Sequence, residues 1–148
     1  GGTDGSIIMA QTALELIFNW WIVGKKNILK GRDTDNLLAS NKIRLILSQL
    51  NIDFDIPQKL TNLNEFQKRN RDSNFYDGPE VIIQIRNGIV HSQSSKRQKN
   101  SEITGLIKSE ALQLSLWYIE MALLAILDFK GLNSNLTSVV KNEFRKRG

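Results

Sequence analysis

The chain has no cysteine, one histidine and only two prolines in 148 residues. Without thiols there is no disulfide framework and no thiolate metal site, which is compatible with a reducing cytoplasm, the location expected here. The scarcity of proline, together with several polar-periodic stretches, favours helices over an all-β chain. A glycine-rich phosphate loop, a Ser/His/Asp set, zinc-ligand spacing and internal repeats are all missing. Any hydrolytic chemistry would therefore run on amino-acid side chains, with no metal and no cofactor. The opening Gly1-Gly2-Thr3-Asp4-Gly5-Ser6 has neither the basic start nor the apolar core of a secretory signal. A chain that does not begin with methionine suits a domain cut from a longer protein or one carrying tag residues, and residues 1–5 are expected to be flexible or tag-derived.

What is present is one apolar core and an excess of positive charge. At 41% hydrophobic content the length suits a single domain over residues 1–148. The net charge of +5 and pI near 9.6 lean toward polyanionic partners such as RNA, and would also suit a membrane surface. Apolar spacing predicts an all-α, up-and-down bundle of about five to six helices. The first runs from Ser6 to Lys26 on Leu14, Ile17, Phe18 and Trp21, and one of Trp20 and Trp21 packs in the core while the other reaches a neighbour. The second is capped by Thr34 or Asp35 and runs to Leu50. A third spans Pro57 to Asn70, and Pro79 opens a fourth that ends at His91. The longest, from Ser101 or Thr104 to Lys130, is apolar on most faces and forms the central column. A membrane span over Leu112 to Phe129 is disfavoured by Gln113, Ser115, Glu120 and Asp128, so no membrane partner is expected. A short amphipathic helix from Asn133 to Arg147 closes the chain.

The stretch with chemistry in it is Ile85-Arg86-Asn87-Gly88-Ile89-Val90-His91. Arginine presents a planar fork that matches two phosphate oxygens and stays charged at any working pH. Histidine moves protons near neutrality. Cleavage of RNA by its own 2′-hydroxyl needs a base for that proton and an acid for the leaving 5′-oxygen. One histidine per chain is one short, which points to a two-fold dimer that brings two copies of Arg86 and His91 into one cleft. On a straight helix the two side chains diverge, so His91 is expected where the helix frays, or Arg86 bends back toward it.

Arg86-Asn87-x-x-x-His91, on a helix of a small all-helical chain, resembles the Arg-x(4–6)-His signature of HEPN domains, including the polar residue that follows the arginine in many members. The resemblance implies a helical bundle that dimerises through its motif helices. It also implies a metal-independent endoribonuclease of toxin–antitoxin or phage-defence systems, with an antitoxin or further domains of a parent protein as possible partners. Arg86 and His91 would then be catalytic, with Asn87 orienting them. Other members have lost catalysis and serve as dimerisation, interaction or nucleotide-binding modules, and that is the alternative reading.

Around this motif, Lys96, Arg97 and Lys99 in the polar segment after His91 are candidates for holding the RNA backbone, although a plain solvated loop explains them equally well. Asp53 and Asp55 could be read as an acidic metal pair, but turn chemistry beside Pro57 accounts for them better. Tyr76 is expected to be a packed loop aromatic.

Overall fold

Asp77-Gly78-Pro79-Glu80 starts a helix by several independent means. The Asp77 carboxylate accepts the Glu80 backbone N–H at 2.9 Å, proline tolerates the first turn because its missing N–H has no partner there, and the acidic side chain of Glu80 suits the positive helix end. In the computed structural model, which describes residues 2–91, 103–127 and 141–144, this helix covers Gly78–Val90. In chain order the α-helices are α1 (Gly2–Ile17), α2 (Ala39–Gln49), α3 (Thr61–Arg69), α4 (Gly78–Val90) and α5 (Gly105–Ile126). The architecture is an all-α bundle, and no strand occurs among the described residues.

The helix boundaries show where local signals were overruled. α1 begins at Gly2; Ser6 donates its hydroxyl back to the Gly2 carbonyl at 2.9 Å, and Asp4 pairs with Lys108 at 2.9 Å. Residues 2–5 are thus helical, contrary to the expectation of a flexible lead. Beyond Ile17 the helix widens into a π-helix over Phe18–Lys25. Trp21 is buried there, while Trp20 is half exposed. Thr34 does not cap α2, because its hydroxyl donates to the Gly31 carbonyl at 2.8 Å and closes a short 3-10 turn. Pro57 does not open α3 either. Its carbonyl accepts from the Leu60 N–H in a tight turn and from the Asn64 side chain at 2.9 Å.

The start of α3 is instead held by another element. Glu110, buried on α5, accepts the Leu63 N–H at 3.0 Å and also bonds to the side-chain amide of Asn62. A carboxylate from a distant helix thereby satisfies donors that a local cap would normally take.

α5 is the central column, packing against α1, α3, α4 and α2. Thr104 caps it, accepting the Ile107 N–H at 3.2 Å. Ile107, Leu114, Trp117, Tyr118 and Met121 are buried, whereas Leu106, Leu116 and Leu123 are exposed. One helix among the described residues, Gly2–Lys25, is long and apolar enough to cross a membrane. It buries Ile7, Ala10, Leu14 and Ile17 in the shared core. Of the closing segment, residues 141–144 are described and helical, with Phe144 stacked on Trp117 at 4.3 Å. The expected end of α5 at Lys130 and most of the Asn133–Arg147 helix lie outside the described residues.

Where α4 meets α5 there is no spare room. A Cβ on Gly78 would stand 2.5 Å from the Tyr118 hydroxyl and 3.1 Å from the Phe54 carbonyl, and the Gly78 N–H donates to that same carbonyl at 2.7 Å. The Tyr118 hydroxyl is fully buried without a hydrogen-bond partner. Burial pushes its ionisation well above the usual tyrosine range, helped by the negative charge of Asp77, Asp53 and Asp55.

Gly78→Ala is expected to cost about 1–3 kcal/mol by overpacking. Tyr118→Phe alone should be neutral or stabilising, since it removes an unsatisfied hydroxyl. Urea denaturation of the double variant should show a loss smaller than the sum by about 1 kcal/mol; strict additivity would show that the two groups do not meet. The same phenol makes an alkaline prediction. Above a pH of about 10 the unfolded chain releases a proton that the folded chain retains, so stability falls as pH rises, by up to about 1.4 kcal/mol per pH unit from this group. In Tyr118→Phe that contribution is absent, and stability measured between pH 9 and 11 should decline less steeply.

Candidate functional site

The helix that carries the motif is anchored at its start by Arg44 of α2. Its guanidinium makes a two-pronged pair with Asp77, Nε to Oδ2 at 2.8 Å and Nη2 to Oδ1 at 3.0 Å, and lies 3.6 Å from Glu80. The Asp77 hydrogen bond raises the guanidinium above its ordinary value against the opposing cost of burial. The charge that caps α4 is therefore itself fixed in position by a second helix.

Nine residues along α4 from Asp77, Arg86 is half-buried and donates from Nη1 to the Asn87 Oδ1 at 3.3 Å. Both side chains line a groove of about 270 Å³ between α1, α2 and α4. Its other polar walls come from Gln11, Thr12 and Glu15 of α1 and Lys42 of α2, and its apolar walls include Ile8, Leu16 and Ile83. Gln11 ties α1 to α4 by donating to the Ile82 carbonyl at 3.0 Å. Lys42 is 9% exposed, a depth at which a lysine needs a partner. It has Glu15 at 2.7 Å and the Phe18 ring 5.5 Å from its ammonium.

His91 is placed differently. It is the C-cap residue of α4, with φ −90° and ψ 1°, its backbone N–H directed to the carbonyls of Asn87 and Ile89. Its side chain is exposed and does not line the groove. Within one chain the structure brings Arg86 and Asn87 together and leaves His91 one turn further on, at the C-terminal end of the helix. Lys96, Arg97 and Lys99 lie outside the described residues. Tyr76 is not packed: it is 68% exposed, and its neighbour Phe75 takes the inward position against Phe66 at 5.6 Å. Asp53 accepts the Asp55 N–H at 3.1 Å, an ordinary turn contact. Among the described residues no group of three or more His, Asp or Glu stands together as a metal site.

Two polar features were missed from the sequence. Lys42 and Ile46 are four residues apart on one face of α2, so a cation inside an otherwise apolar stripe was the available signal. Arg44 gave none, since its partner is 33 residues away.

A family model, the YopA C-terminal domain, matches residues 1–145. The chain belongs to the YopA C-terminal domain family. It is similar, at 30% identity over 129 residues, to the SPbeta prophage-derived protein YopA of Bacillus subtilis. That alignment covers 86% of this chain and 27% of the relative, so the chain spans about a quarter of the relative's length. No solved structure matches the chain. In family terms, the groove and the end of α4 belong to the domain that gives the family its description.

Removing Arg44 should loosen the motif helix at its root. Arg44→Ala leaves Asp77 buried without its ion-pair partner and is expected to cost about 2–4 kcal/mol, discounted slightly because the guanidinium is partly exposed. Hydrogen exchange should accelerate in the first turns of α4 before it does in α5; an unchanged α4 would mean that the pair does not anchor it.

Proposed function

We propose that this domain is a metal-independent endoribonuclease acting as a two-fold dimer in the cytoplasm. Arg86 stabilises the phosphorane, Asn87 orients Arg86, and the two copies of His91 exchange protons with the 2′-hydroxyl and the leaving 5′-oxygen. The observation that carries the reading is the arrangement at the end of α4: an exposed imidazole one turn beyond an arginine and asparagine that are hydrogen-bonded to each other at the edge of a groove. The basic charge balance supports an RNA partner. The resemblance of the motif to HEPN domains supports the dimer and the reaction. The prophage origin named for the Bacillus relative supports a role in conflict between phage and host, restrained by an antitoxin or by other domains of a longer protein.

A second reading is a helical interaction or nucleotide-binding module without catalysis. It is favoured by one observation, that His91 does not line the groove of its own chain.

Purified protein incubated with single-stranded RNA should yield 2′,3′-cyclic phosphate and 5′-hydroxyl ends, in the presence of chelator as in its absence. His91→Ala should lower the rate by about 100-fold or more while leaving the thermal unfolding curve in place. Equal rates from the alanine variant, cutting that stops with chelator, or a strictly monomeric active species in sedimentation would each remove the proposal. A bell-shaped pH profile belongs to the histidine pair and not to one residue.

A further inference from the structure

Lys42 is the side chain that the packing alone does not explain. A methionine would fill the same volume against Phe18 without desolvating a charge, and replacing a buried ion pair with apolar groups is often neutral or stabilising. Yet Lys42, 9% exposed as a residue, stands in the wall of a groove that also contains Arg86. Its partner Glu15 keeps 45% of its side-chain surface exposed, so the pair opens toward the groove. Two cations and one carboxylate leave that groove with a net positive charge. The same groove is also lined by the apolar side chains of Ile8, Leu16 and Ile83 and by Thr12 and Asn87.

We infer that the groove between α1, α2 and α4 seats one nucleotide of a single-stranded RNA, with its phosphate held by Arg86 and Lys42 and its base against Ile8, Leu16 and Ile83. The volume of about 270 Å³ lies just below the usual range of ligand pockets, which starts at roughly 300 Å³, and suits one nucleotide unit better than a duplex or a folded partner. Single-stranded RNA offers an unstacked base for the apolar wall, and phosphate matches the paired cations. Glu15 holds Lys42 in position when the groove is unfilled, and competes with the phosphate for its ammonium. Because Asn87 lines the groove and His91 follows one turn along α4, the seated nucleotide neighbours the link to be cut. The inference therefore rests on the ribonuclease reading for its biological meaning, though not for its chemistry.

The test is titration of the whole 148-residue chain with adenosine 3′-monophosphate, followed by backbone amide NMR. Saturable shifts should centre on Gln11, Thr12, Lys42 and Arg86. Lys42→Met and Arg86→Met should each weaken binding by about tenfold. Glu15→Gln should tighten it severalfold by freeing the ammonium, whereas a purely structural ion pair would make the Glu15 and Lys42 variants change in the same direction. Lys68→Ala, which removes an exposed cation on α3 outside the groove, should bind as the parent does. Shifts centred elsewhere, binding unmoved by Lys42→Met, weaker binding in Glu15→Gln, or a dimer that covers the groove would overturn the proposal. Nucleotide binding that depends on Lys42, in a protein that cuts no RNA, would leave the groove standing and remove the nuclease. Cleavage with an unchanged KM in Lys42→Met would do the reverse.

Discussion

The contact between Arg44 and Asp77 decides where α4 begins, and everything proposed for the end of that helix depends on its beginning. Asp77 has two tasks, accepting the Glu80 amide and receiving the guanidinium of α2. Gly78, the next residue, lies against Tyr118 and Phe54 so closely that no side chain fits. An α-helix advances by about 1.5 Å and 100° per residue. A start pinned in both translation and rotation therefore determines the direction in which Arg86 and Asn87 project, and places His91 at the C-terminal end of the helix.

The groove has a different physical character from the core around it. The core cluster runs from Ile7 to Ala122 on aliphatic and aromatic side chains, and polar groups in and beside it hold elements together. Buried Glu110 caps α3, and half-buried Gln11 bonds to α4. Lys42 and Glu15 serve the fold less directly. Their pairing costs desolvation that an apolar residue would avoid, and they stand beside the arginine to which the sequence had already drawn attention. A protein retains such a pair either for specificity of packing or for a ligand, and the shared groove makes the ligand the more economical explanation.

Much of the fold was legible because apolar spacing reports burial directly. Leu14, Ile17, Phe18 and Trp21, whose spacing defined the first helix, are all buried. Boundaries were less legible because they depend on which of several competing hydrogen bonds a polar side chain makes. Thr34 could have capped a helix and instead closes a turn on Gly31. Pro57 could have begun α3, but Glu110, 47 residues from Leu63, moves the start to Thr61. At the candidate site the motif pair on α4 was visible as a local string, while Lys42 and Glu15 were not, being 27 residues apart and joined only by the crossing of α1 and α2.

The capping of α3 by Glu110 has a consequence for how the molecule assembles. A segment of nine residues with no start signal of its own is too short to persist as an isolated helix in water. Its first turn gains donor satisfaction only when the central column is alongside, so the ordering of this segment is conditional on a long-range contact. Whatever loosens the column's hold at Glu110 therefore releases the short helix as well, with a single carboxylate as the link between them.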